Sequence, residues 1–207
     1  NHEERIIEIL LQTNLLLITL DQDNNWYRYH HLFRELLFNQ LKKRFSVEEI
    51  KELHLKAAHW FRDQELHEEA IHHFLSAGDN NSAISLVEKN AHAEFVYGIA
   101  KVEKWLHKLP EEIKEGNPAL LLFEAWHAFG TFQLEKIPTI IEKVESLLVG
   151  QTPRPRLSAE ISFFKGNFLY WMGETEASIK MLREAMQIGG DLPVHVMGNI
   201  ELVLNMA

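Results

Sequence analysis

The sequence predicts a mainly α-helical chain: one short β-hairpin near the N-terminus, then a long array of paired helices. Three observations carry this. Apolar residues alternate with period two only before residue 30. From Ser46 onward they recur with the 3.6-residue period of a helix. Two distant stretches also place small and large residues at the same spacings, as stacked helical pairs require.

The elements follow in order. Ile6 to Leu11 reads as the end of a short helix. Asn14-Leu-Leu-Leu-Ile-Thr-Leu20 reads as a strand, Asp21-Gln-Asp-Asn-Asn25 has turn composition, and Trp26 to Tyr29 returns as the second strand, so the hairpin spans Leu15 to Tyr29. A helix follows with Leu32, Phe33, Leu36, Leu37 and Leu41 on one face. Ser46-Val-Glu-Glu49 is a capping box, in which serine and glutamate each satisfy the other's free backbone N–H. Ile50, Leu53, Ala57, Trp60 and Phe61 form the next apolar stripe. Gly78 is placed to end a helix and Asp79 to cap the following one. Asn117-Pro118 puts proline at a first helical position. Ile137, Ile140, Ile141, Val144, Leu147 and Leu148 keep the helical period. Gly150 to Pro155 is the clearest loop. Beyond it Leu157, Ile161, Phe164, Phe168 and Trp171 recur at spacings of four and three. Gly189-Gly-Asp-Leu-Pro193 separates the last two helices.

Ala58, Phe61, Ala70, Phe74 and Ala77 have the spacings of a tetratricopeptide repeat, which sets small residues where paired helices touch. Gly166, Leu169, Ser178, Leu182 and Ala185 keep the same spacings. Leu120 to Leu148 is a weaker copy. The expectation is a TPR-like helical-repeat solenoid; an ordinary helical bundle is the alternative.

Composition narrows the function classes. At 207 residues, 46% hydrophobic and 25% charged, the chain can bury a sizeable core. No apolar run approaches the ~20 residues of a membrane span. The longest, Ala119 to Phe123, is also too short for a signal-peptide core. With no cysteine, thiol catalysis and disulfides are excluded, in keeping with a cytoplasmic location. A net charge of -9, with no Lys/Arg cluster among aromatics, argues against gripping nucleic acid.

No phosphate loop, dinucleotide fingerprint, nucleophile elbow or zinc-protease motif occurs. No catalytic residue is assigned, and the chain is not expected to be an enzyme. Among the twelve histidines, His54 with His59 and His67 with His72 come closest to a helical metal pair, but neither has the i, i+4 spacing; no metal site is expected. Paired acids such as Glu48-Glu49, Glu68-Glu69 and Glu111-Glu112 suit helix starts, where they offset the macrodipole. Trp60, Phe61, Trp126, Phe164, Tyr170 and Trp171 are read mainly as interhelix packing, with a ligand-stacking groove as the alternative. Asn1 stands where an initiator Met would, and Gly198 to Ala207 stops within an apolar helical pattern, so the chain is expected to be a piece of a longer polypeptide.

Trp26-Tyr-Arg-Tyr-His-His-Leu-Phe-Arg-Glu-Leu-Leu37 resembles the winged-helix segment of the MalT-like, LuxR-type ATP-dependent transcriptional regulators. His54-Leu-Lys-Ala-Ala-His-Trp-Phe61, Glu69-Ala-Ile-His-His-Phe-Leu-Ser-Ala-Gly-Asp79, Trp105-Leu-His-Lys-Leu-Pro110 and Asn117-Pro-Ala-Leu120 follow in that family's order. The resemblance covers nearly the whole chain and is strongest over 14–132. It implies a STAND-class signal-transduction ATPase. Residues 1–45 would be the C-terminal part of the winged helix. Residues 46–207 would be a TPR-like sensor and coupling region, truncated at its C-terminal end. It also implies ATP/ADP as the full-length protein's cofactor, with none held by this piece alone. The implied partners are its own nucleotide-binding domain, self-oligomers and a small-molecule inducer such as a sugar or metabolite. DNA would be met only through a helix-turn-helix outside this sequence, and no membrane is involved. In related switches a winged-helix histidine in a His-x-Leu context contacts the ADP β-phosphate, and His30-His31-Leu32 matches that context. An imidazole N–H at a helix start is a short, orientable donor to an anion. The alternative for His30 is packing between wing and helix. The alternative function is a helical-repeat protein–protein scaffold without a small ligand.

Overall fold

A computed structural model describes residues 17–19, 27–189 and 192–206. The helix expected over Ile6 to Leu11, the turn over Asp21 to Asn25, and Trp26 lie outside the described residues. The chain forms two compact units, 1–54 and 55–207.

In the first unit, β1 (Leu17–Thr19) pairs antiparallel with β2 (Tyr27–Tyr29), with Leu17 opposite Tyr29, Ile18 opposite Arg28 and Thr19 opposite Tyr27. The period-two pattern turns Leu17 inward and leaves Ile18 exposed. Helix α1 (His31–Arg44) follows at once, and Lys42, Lys43 and Arg44 in its last turn complement the helix dipole. The stripe predicted on this helix exists as a helical pattern, but it buries nothing. Leu32, Leu36 and Leu37 are exposed at 63%, 53% and 39%, and no residue of α1 is buried. Period alone records which side chains share a face, not whether anything covers it. The capping box opens α2 (Val47–Asp63) as predicted: Ser46 N–H donates to Glu49 Oε2 at 2.7 Å, and Glu49 N–H donates to Ser46 Oγ at 3.2 Å.

The second unit is helical throughout its described residues, a solenoid-like run: α3 (His67–Ala77), α4 (Asn80–Tyr97), α5 (Ile99–Lys108), α6 (Glu111–Glu115), α7 (Pro118–Gly130), a 3-10 turn (Leu134–Lys136), α8 (Ile137–Leu147), α9 (Pro155–Trp171), α10 (Thr175–Gly189) and α11 (Val194–Met206). No strand occurs between Ser46 and Met206 among the described residues. The boundaries fall where cap chemistry puts them. Gly78 takes the left-handed conformation at φ 81°, Asp79 accepts from Ser82 N–H, and Asn117 accepts from the N–H groups of Ala119 and Leu120.

Two apolar clusters fill this unit. One gathers Ala58, Ala70, Ile71, Phe74, Val87 and Trp105; the other gathers Trp126, Ile141, Val144, Phe163, Phe164, Leu182 and Ile200. The small positions read from sequence lie at helix contacts. Ala58, Ala70, Ser178 and Ala185 are fully buried, and Ser178 Oγ donates to the Gly166 carbonyl at 2.8 Å. The apolar stripes are only partly inside. Leu157, Ile161 and Phe164 are buried, while Phe168 and Trp171 on the same helix are exposed, as are Leu53 and Trp60 on α2.

Candidate functional site

His30 occupies the N-cap position of α1 in extended geometry, with φ -54° and ψ 140°. Its carbonyl accepts from Arg34 N–H at 2.9 Å, while its side chain makes no capping hydrogen bond. The imidazole is half-buried and its centroid lies 4.3 Å from that of His31. Tyr29 and Phe33 pack edge-to-face beside it at 5.5 Å, fixing the strand-to-helix junction. The first turn of α1 holds no acidic residue. The junction thus presents an imidazole and helix N–H groups with no nearby first-turn carboxylate to repel an anion.

A second feature was not legible in the sequence. Glu103, Lys114, Glu124, His127 and Lys136, with the apolar Leu106, Ala128 and Ile140, line a cavity of about 360 Å³ among α5, α6, α7, the 3-10 turn and α8. Lys114 is buried, with its ammonium 2.8 Å from Glu111 and 3.4 Å from Glu124. Burial works against that charge, but the two carboxylates outweigh it and hold the ammonium above the usual lysine value. Glu103 stands 3.6 Å from His107 Nε2 and 3.5 Å from His127 Nε2. The cavity offers both signs of charge beside apolar side chains, a lining suited to a small polar molecule.

The third feature lies in the core. Glu160 on α9 is 1% exposed. Trp126 Nε1–H donates to its Oε2 at 2.7 Å, while His92 Nε2 and Arg156 Nε lie 3.3 and 3.5 Å from its Oε1. His92 Nδ1 in turn lies 3.4 Å from His195 Nε2 on α11. Burial, and secondarily His92, push His195 down to about 4 against the opposing pull of Glu160.

Only His30 was singled out beforehand as a site residue. His54/His59 and His67/His72 each share a single helix, whereas His92 meets His195 across helices and His127 reaches Glu103 from another helix, which spacing cannot show. Among the described residues no group of three or more His, Cys, Asp or Glu is arranged to hold a metal ion. Glu160 had left a trace: it lies between Leu157 and Phe164 on an apolar face, where a carboxylate needs a buried partner. Of the aromatics considered for ligand stacking, Trp126 and Phe164 are buried in the core, and Trp60 and Trp171 are exposed.

A short hairpin running into a helix is followed by a solenoid-like helical region, and both parts have likenesses among known proteins. Residues 1–49 match the MalT winged helix domain family. The chain is also 28% identical over 141 residues to the HTH-type transcriptional regulator MalT of Vibrio parahaemolyticus serotype O3:K6 (strain RIMD 2210633), an alignment covering 68% of this chain and 16% of that regulator. No solved structure matches. The chain is MalT-like, and it spans a small part of the length of the curated relative it matches. No helix of the described residues is long and apolar enough to cross a membrane.

Proposed function

We propose that this chain is the sensor and signal-coupling segment of an ATP-dependent, MalT-like transcriptional regulator, linking nucleotide state and inducer to oligomerisation and transcription activation. The observation that carries the reading is His30: an imidazole at the N-terminus of α1, unused by any capping bond, inside the stretch that matches the MalT winged helix domain. In this reading His30 donates to a phosphate of ADP held mainly by the regulator's nucleotide-binding domain, and the exposed apolar face of α1 meets that same domain. The inducer, a sugar or metabolite, enters the polar cavity walled by Glu103, Glu124 and Lys114. Helix-turn-helix contact with DNA and the ATPase reaction belong to other parts of such a regulator.

The test is His30→Ala in the full-length regulator. Losing a hydrogen bond to a charged group costs roughly 1.5–3 kcal/mol, which shifts a resting-to-active equilibrium by about tenfold or more. The expected result is faster ADP release and raised inducer-independent transcription, with the fold of this segment intact. Unaltered ADP release with a destabilised segment would identify His30 as a packing residue. A scaffold without a small ligand is the second reading. It is favoured by the apolar groove of about 490 Å³ between α8 and α9, lined by Ile141, Phe168 and Leu169.

A further inference from the structure

In a helical solenoid each unit touches its neighbours along the chain. Helix α11 departs from that rule. Besides packing on α9 and α10 it reaches α4, and the bridging residues His92 and His195 are 103 positions apart. The His195 ring sits at the centre of that contact. His195 lies edge-on to Trp126 at 4.9 Å, stacked on His92 at 5.2 Å and against Phe95 at 5.7 Å. Three helices, α4, α7 and α9, thus build a box around Glu160, and α11 inserts an imidazole into it.

We propose that His195 is a pH-operated latch: its neutral ring holds α11 on α4, α7 and α9, and its protonation releases that helix. Partner chemistry fixes where protons can go. A carboxylate only accepts, so a neutral His92 carries its hydrogen on Nε2, facing Glu160, and its Nδ1 accepts from His195 Nε2–H. A proton added to His195 goes on Nδ1, since Nε2–H already faces His92, and Nδ1 is buried with no partner to accept from it. The other charged groups give no relief. Arg156 on α9 already faces Glu160 and adds positive charge. Glu88 on α4 is engaged by Arg154 and Asn117. Trp126, the contact from α7, carries no charge. Lys180, Arg183 and Glu184 on α10 and Glu201 on α11 are exposed. Asn199 on α11 donates to the His195 carbonyl.

The sign follows from the direction of the shift. Docking lowers His195 from 6.5 to about 4, so the docked state is favoured in full above about pH 6.5. That advantage is lost as the pH falls toward about 4 and changes no further below it. Partial exposure of the ring reduces the effect, leaving a weakening of docking on the order of tenfold to a hundredfold.

The experiment compares the 207-residue chain with its His195→Phe variant, which keeps a ring in the box but cannot be protonated. Hydrogen exchange across α11, corrected for the intrinsic pH dependence of exchange, is measured from pH 7.5 to 4.5. In the wild type, α11 should lose at least tenfold more protection than α9 and α10 as the pH falls; in His195→Phe it should track them. Equal loss in both proteins, or α11 moving in step with α9 and α10 in the wild type, overturns the latch. Ring titration of wild-type His195 by NMR gives a readout independent of whether the variant folds. A midpoint well below the ordinary histidine value of about 6.5 supports the latch, and a midpoint at or above about 6.5 refutes it.

Discussion

Gly166→Ala and Gly198→Ala are the same chemical change within helices of one unit, and the structure gives them opposite signs. On propensity alone each should stabilise, since glycine is about 0.8–1.0 kcal/mol less favourable than alanine inside a helix. At Gly198 nothing lies within 4 Å of the position a Cβ would take, so that gain is realised in full. At Gly166 the new Cβ would stand 2.9 Å from both Cγ and Cδ2 of Leu182 and 3.5 Å from the Ser178 carbonyl. Leu182 is fully buried, and its branch carbon is in the clash as well as its tip, so it cannot swing clear. Helices α9 and α10, the most extensive pairing in the unit, must separate there. Overpacking costs about 1–3 kcal/mol, and subtracting the propensity gain of about 1 leaves a net loss of roughly 0–2. The two variants should therefore differ by about 1–3 kcal/mol, resolved as separate urea midpoints at unchanged slope. A Gly166→Ala variant as stable as Gly198→Ala would refute the close approach of α9 and α10, and with it the assignment of Gly166 as a small position of the repeat.

The remaining variants probe the core in the same way. Glu160→Ala should destabilise by about 3–5 kcal/mol, because it strands the Trp126 N–H and leaves Arg156 and His92 without their carboxylate. Glu160→Gln keeps an acceptor for Trp126 and should cost less; equal denaturation midpoints for the two would mean the carboxyl oxygens carry no weight. Ala58→Leu or Ala77→Leu should each cost ~1–3 kcal/mol by forcing apart helices that close on a fully buried and a nearly buried alanine. Unchanged chemical-denaturation midpoints for both would show that the small positions of the first pair are misplaced.

The sequence by itself determined the local structure. Period two gave way to period 3.6 where β2 hands over to α1, and Ser46, Gly78, Asp79 and Asn117 marked helix ends, because cap and turn preferences depend on residues within one turn of each other. The spacing of Ala58, Ala70, Gly166 and Ser178 likewise foretold where helices touch, since only small side chains permit that approach. His30 occupies the N-cap of α1, so its place at a helix start was legible from the local pattern. Only the tertiary structure decided what covers each face. Leu32, Leu36 and Leu37 of α1 and the aromatics Phe168 and Trp171 follow the helical period as faithfully as Phe164, yet they are exposed, because burial needs a partner surface that the helix does not specify. The Glu160 cluster shows the same limit at long range. Its members come from four helices, and His92 meets His195 only because α11 folds back onto α4. A contact between residues 103 apart is set by how the helices stack, and no spacing within a single element encodes it.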